Sequence, residues 1–186
     1  MGNSRRSGQG AVAHLLCALF IGYHRMAGGA WRAPYRLLLQ SDIYPEEEYR
    51  IRKDECSRYA RSLGLDIVDA DYDHEAWRSC VAGLEGEPER GGRCLQCFKM
   101  RLLDTARYAH EHGFRVITTT LASSRWKSLD QINEAGRFAV AAYPDVIWWD
   151  QNWRKGGLNE RRAAIIREYG FYNQQYCGCE FSMRKD

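Results

Sequence analysis

The stretch Gly91-Gly92-Arg93-Cys94-Leu95-Gln96-Cys97-Phe98 places two thiols three residues apart behind a glycine-rich loop. A second close pair stands near the C-terminus, in Tyr176-Cys177-Gly178-Cys179. The chain carries 7 cysteines in 186 residues, and two tight pairs point to chemistry at sulfur rather than chance. Thiolates at i and i+3 on the first turn of a helix can face one metal, and the positive end of the helix favours their charged form. This spacing by itself leaves open a zinc half-site, a redox dithiol and an iron–sulfur half-site.

The elements that must position these thiols are legible from residue 41 onward. Pro45 followed by Glu46, Glu47 and Glu48 reads as a first helical turn, which the helix dipole favours. Tyr49, Cys56, Tyr59, Ala60 and Leu63 continue it as an apolar stripe, and Gly64 stops it. Leu65 to Val68 reads as a strand, with Asp69, Asp71 and Asp73 at its carboxyl end. Trp77, Cys80, Val81 and Leu84 mark a short helix, and Cys56 and Cys80 read as core residues. A helix is expected from about Cys94 to His112, burying Phe98, Leu102, Ala106 and Ala109 and ending at Gly113. Phe114 to Thr120 is β-branched and reads as a strand. A loop over Leu121 to Lys127 leads to a helix capped by Ser128 or Asp130, with Ile132, Ala135, Phe138 and Ala142 inward. Val146 to Trp149 is the next strand, with Trp148 and Trp149 on opposite faces. A basic helix from Asn159 to Tyr169 closes at Gly170.

This alternation predicts a single α/β domain with a parallel sheet. Ligands of such sheets bind at the carboxyl ends of the strands. Asp73, the loop before Cys94, Ser123 to Lys127 and Asp150 to Lys155 all follow expected strands and would converge there. Asp73 is a candidate site carboxylate. Lys127, Arg154 and Lys155 are candidate RNA contacts, with Ser124, Arg161 and Arg162 as lesser ones, each weighed against plain solvent exposure. The net charge of +3 permits a nucleic-acid partner without requiring one. No segment reads as a signal peptide or membrane span, so tight cysteine pairs in a reducing cytoplasm point to metal or redox work over structural cross-links.

Several segments together resemble the epoxyqueuosine reductase family of the QueH type. They are Ile43-Tyr44-Pro45-Glu46-Glu47-Glu48-Tyr49, the Asp71-Tyr72-Asp73 turn, Gly92-Arg93-Cys94 with Cys97-Phe98 and Arg101-Leu102, Thr118 to Leu121 with Ser124 and Lys127, and Tyr176-Cys177-Gly178-Cys179-Glu180-Phe181-Ser182. The resemblance covers about residues 43–182. It implies a Rossmann-like, HUP-type fold and a cytoplasmic metalloenzyme that reduces epoxyqueuosine in tRNA to queuosine. It further implies a [4Fe–4S] cluster held in part by Cys94 and Cys97, an additional iron, a redox-active Cys177–Cys179 disulfide, and an electron donor that the sequence does not identify. Two alternatives compete with it. One is a non-enzymatic, zinc-stapled RNA-binding module using all four paired cysteines, and the other is an ATP-dependent tRNA thiolase. The first is disfavoured by its unusual C-x-C spacing, and the second by the lack of a Ser-Gly-Gly-x-Asp-Ser-like phosphate loop.

Residues 1–41 depart from that pattern, and the orderly α/β metalloenzyme domain with its C-terminal redox tail spans 42–186. The family's first strand is expected to end in Cys-Cys-Ala-Pro-Cys, whereas this chain offers only Cys17, within Leu15-Leu16-Cys17-Ala18-Leu19-Phe20. We read the stretch as translated out of frame. Shifting each codon by one base lets Leu15 to Phe20 encode Cys-Cys-Ala-Pro-Cys-Ser. The same shift lets Ile21 to Ala30 encode a segment of helical period and Trp31 to Ser41 a strand. As printed, the chain lacks two expected cluster thiolates, and Cys17 is a poor substitute for an adjacent pair.

Overall fold

A computed structural model describes residues 36–38, 41–62, 67–70, 72–172 and 174–183. The element order begins β1 (Arg36–Leu38), α1 (Glu46–Ser62), β2 (Ile67–Asp69), α2 (His74–Cys80) and α3 (Gly92–Glu111). It continues with β3 (Val116–Ile117), a 3-10 turn (Thr120–Ser123), α4 (Leu129–Ala141), β4 (Ile147–Trp148), α5 (Leu158–Tyr169) and a closing 3-10 turn (Glu180–Ser182). β1 pairs in parallel with β2, and β3 in parallel with β4, with Val116 opposite Ile147. The architecture is therefore α/β with parallel strand pairs. Of the stretch read as out of frame, only β1 and Ser41 are described, and β1 forms a strand against Ile67–Asp69. Cys17 and the expected cysteine-rich segment lie outside the described residues.

The main core lies between α3 and α4. Leu102, Ala106 and Ala109 of α3 meet Ile117 of β3 and Ile132, Ala135 and Ala139 of α4, all essentially sealed from solvent. Small residues at these positions let the two helices approach closely. The buried row of α4 differs from the expected one. Ile132, Ala135, Gly136 and Ala139 face inward, while Phe138 is exposed and Ala142 caps the helix in solvent. At 100° per residue, Phe138 falls off the arc shared by Ile132, Ala135 and Ala139. Its ring instead receives the Lys99 ammonium at 5.3 Å. Gly136 is required on that row because a Cβ there would overlap the Trp148 ring of β4. Trp148 is half-buried and Trp149 more exposed, as their opposite faces require.

The third strand is shorter than its β-branched run suggests. Only Val116 and Ile117 pair, and the Thr119 hydroxyl then accepts from the Leu121 N–H at 3.3 Å to start the 3-10 turn. A threonine side chain that bonds nearby backbone competes with the strand ladder in this way. Cys56 is core, as expected, but Cys80 is only half-buried, its Sγ 3.9 Å from the Gln96 carbonyl. Ser128 caps α4 by accepting from the Gln131 N–H at 3.3 Å.

Candidate active site

α3 begins where Gly91 leaves an extended conformation and Arg93 turns inward. Arg93 is almost fully buried, and its Nη1 donates to the carbonyls of Leu84, Glu85 and Glu87. That guanidinium ties the preceding loop to the helix and fixes where its first turn starts. Cys94 and Cys97 project from this turn, with Arg101 one turn further along the same face. The Arg90 N–H donates to Cys94 Sγ at 3.3 Å. Cys97 is buried among Trp77, Val81 and Cys179. Burial, with help from the Asp42 carboxylate, pushes its thiol well above the ordinary value.

The C-terminal pair reaches the same place through α1. Arg52, held by Glu48 at 2.6 Å, donates to the carbonyls of Cys177 and Tyr176 at 3.2 and 3.4 Å. Glu48 also accepts from the Tyr172 hydroxyl at 2.9 Å, and Glu55 from the Tyr172 N–H at 2.7 Å. One face of α1 thus anchors the tail at Tyr172, Tyr176 and Cys177. Cys177 and Cys179 are both free thiols. Cys179 is buried, and desolvation pushes its thiol up to about 12.

Cys94, Cys97, Cys177 and Cys179 line one cavity together with Asp42, Trp77, Arg93, Phe98, Arg101 and Lys127. Asp42 and Arg101 form a buried ion pair at 3.1 Å. By sequence, Lys127 is a candidate RNA contact weighed against plain solvent exposure. It is buried instead, and its ammonium donates to Cys177 Sγ. Burial would by itself lower the Lys127 pKa, but the sulfurs of Cys177, Cys94 and Cys97 together outweigh it and the net shift is upward. Ser124 is likewise buried, its hydroxyl accepting from the Trp126 N–H.

Asp73 does not line the cavity. It is exposed and caps α2, accepting from the Ala76 N–H at 2.8 Å, so the cavity carboxylate is Asp42. Arg154 is half-buried and donates to the carbonyls of Ala122 and Lys127 at 3.1 and 2.8 Å. Lys155 is exposed. Asp42 and Arg52 were not singled out by sequence, and Arg101 entered only within the family motif, without a role. Arg101 had a legible signal, since it stands at i+7 from Cys94 and i+4 from Cys97. Asp42 gave none, because Arg101 is distant in the chain, and Arg52 gave none beyond its local Glu48 pairing, because the tail carbonyls it holds are distant too.

A family model described as epoxyqueuosine reductase QueH matches residues 30–185. The chain belongs to that family. Proteins named epoxyqueuosine reductase QueH from Histophilus somni (strain 129Pt) and Haemophilus influenzae are each 50% identical to it over 143 residues. These alignments cover 77% of this chain and 59% and 58% of those proteins, so the chain spans about three fifths of their length. A relative of the same name from Thermotoga maritima is 31% identical over 145 residues, 76% of this chain and 75% of that protein. The cysteine spacing read from the sequence carries an expectation of iron–sulfur ligation. Two cysteines on one helical turn suit half of such a ligand set. Among the described residues, however, no group of three or more His, Cys, Asp or Glu side chains converges to hold a metal. The described residues therefore do not complete a cluster site.

Proposed function

We propose that this chain is an epoxyqueuosine reductase that acts on tRNA in the cytoplasm, on a Rossmann-like HUP-type domain. Membership of the QueH family supports the reaction. The observation that carries it at residue level is the convergence of two cysteine pairs, from the start of α3 and from the tail, on one cavity. Converting an epoxide to an alkene releases its oxygen as water and consumes two electrons and two protons. Oxidation of the Cys177/Cys179 dithiol to a disulfide yields the same two electrons and two protons. In this reading Cys177 and Cys179 are the redox pair, and Lys127 orients Cys177. The Asp42–Arg101 pair gives the cavity fixed charge. Cys94 and Cys97 supply two ligands to a [4Fe–4S] cluster. The remaining ligands, and any for an additional iron, come from outside the described residues, so no step is routed through either group. The electron donor is a separate reductant. No described helix is long and apolar enough to cross a membrane.

The nucleotide sequence tests the out-of-frame reading of residues 1–41. A second frame across codons 15–41 that fails to spell Cys-Cys-Ala-Pro-Cys removes it. Activity is tested on the chain as printed and on a frame-restored chain, after anaerobic reconstitution. The restored chain should be brown and should remove one oxygen atom from epoxyqueuosine in tRNA, read by nucleoside mass spectrometry with a chemical reductant. The printed chain should hold an unstable cluster and turn over little. In the restored chain, Cys94→Ser or Cys97→Ser should lose iron and sulfide, because a hydroxyl is a poor ligand for iron in place of a soft thiolate. Cys177→Ser and Cys179→Ser should keep the cluster and lose turnover. A colourless, zinc-loaded protein would instead favour the zinc-stapled RNA-binding module.

A further inference from the structure

The loop Ala122–Lys127 is held from two sides by guanidinium groups. Arg90 donates from Nε to the Trp126 carbonyl at 3.0 Å and from Nη2 to the Arg125 carbonyl at 2.8 Å. Arg154 grips the Ala122 and Lys127 carbonyls from the other side. Arg90 does this from a left-handed backbone conformation, φ 68°, that costs an arginine more than a glycine. The loop is further tightened by the Ser124 hydroxyl, which accepts from the Trp126 N–H.

What this rigid loop presents is unusual for a surface turn. Lys127 points into the thiol cavity, while its neighbour Trp126 leaves 51% of its surface exposed. The Arg125 guanidinium lies 5.0 Å from the Trp126 ring centre. Cations gather around it: the Arg90 charge acts on Arg154, and the Arg125 charge on Arg162, each adding to burial in holding those guanidiniums below their ordinary value. Among the described residues no carboxylate forms an ion pair with Arg90, Arg125 or Arg154. A half-exposed indole with the Arg125 guanidinium over one face and further cations nearby suits a partner with both an aromatic face and negative charge. A single-stranded nucleotide has both, in its base and its phosphate.

We infer that Trp126 and Arg125 form a subsite for the nucleotide next to the modified base, with the indole stacking the neighbouring base and Arg125 pairing with its phosphate. The inference rests on the reductase reading for the identity of the RNA. The adjacency of Trp126 to Lys127 gives the geometry: a base presented to the cavity leaves its chain neighbour at the loop beside it.

The test uses the full chain and fluorescence anisotropy of a labelled tRNA anticodon hairpin. Trp126→Ala should weaken binding about tenfold, and Trp126→Phe should restore most of it, since every aromatic face stacks a base. Arg125→Gln should make the slope of log affinity against log salt shallower by about 1. Thermal melting should be unchanged in all three. Parent-like RNA binding by Trp126→Ala overturns the inference, as does weakening that comes with a lower melting temperature. Unchanged RNA affinity with slower turnover from a protein reductant would instead assign the surface to that protein, and would also overturn it. Reduction of the free epoxyqueuosine nucleoside by the frame-restored chain separates the two readings, because a nucleoside has no neighbour to stack. Nucleoside turnover beside parent-like RNA binding by Trp126→Ala sinks the subsite alone. Absence of turnover on both the nucleoside and the tRNA sinks the reductase reading, while the RNA affinities still decide the subsite.

Discussion

Gly178, between the two tail cysteines, shows how tightly single residues are specified here. Its backbone adopts φ 117°, which a side chain strains. A Cβ at this position would stand 2.9 Å from Arg52 Nη1 and 3.1 Å from Ile43 Cγ1. Its carbonyl accepts from the Tyr44 N–H at 2.9 Å, so the turn is fixed to the segment ahead of α1. Gly178→Ala should destabilise the protein by about 1–3 kcal/mol from backbone strain alone, measured by urea unfolding. It should also speed alkylation of Cys179, because a displaced turn uncovers that thiol. Alkylation at the parent rate with unchanged stability would show that the turn tolerates the side chain. The cysteine pattern was legible by residue type. The burial that separates Cys179 from the half-buried Cys177 was not, since neighbours two apart differ here only by what packs on them.

Among the elements, α1 does more than pack Tyr49 and Cys56 against Ile67 of β2. Its Glu48, Arg52 and Glu55 stand on one face at helical spacing and reach the tail more than a hundred residues later in the chain. In sequence this row reads as ordinary charged helix surface, because pairing at i and i+4 is expected of exposed helices. Burial of Arg52 and Glu48 changes its meaning. Arg52→Met should cost about 3–5 kcal/mol, as removing one partner of a buried pair does, read by thermal or urea unfolding. The tail should loosen with it, which limited proteolysis after Tyr172 would detect. Loss of under about 1 kcal/mol would mean the pair behaves like a surface one. α3 was the most legible element: Phe98, Leu102, Ala106 and Ala109 are buried as their 3.6-residue period requires. α4 was less so. Phe138 is apolar, and nothing in a linear pattern says that a lysine from α3 will cover its ring in place of the core.

Across the whole molecule, burial favours the protonated form of two cavity thiols, Cys97 and Cys179, in the folded, metal-free state. Burial raises Cys179 from an ordinary 9.0 to about 12, and Cys97 shifts the same way. For a thiol whose folded pKa is raised, the stability contribution is complete below the unfolded value and is lost as pH climbs through the folded one. The metal-free chain should therefore weaken between about pH 9 and pH 12, and Cys179→Ala should flatten that decline in a pH series of unfolding midpoints. A parallel decline in the variant would assign the effect to other groups. The sequence by itself determined the α/β alternation, the α3 helix with its paired cysteines, the helix stop at Gly170, and the family pattern, and it narrowed the α4 cap to Ser128 or Asp130. These are local signals, written in periodicity, turn chemistry and short spacings. The tertiary structure alone decided that Lys127 serves Cys177, 50 residues away, rather than an open surface. It also put Asp42 in the cavity and left Asp73 as a helix cap. Such roles depend on desolvation and on partners distant in the chain, and a charged side chain carries no local mark of which neighbour will take it out of water.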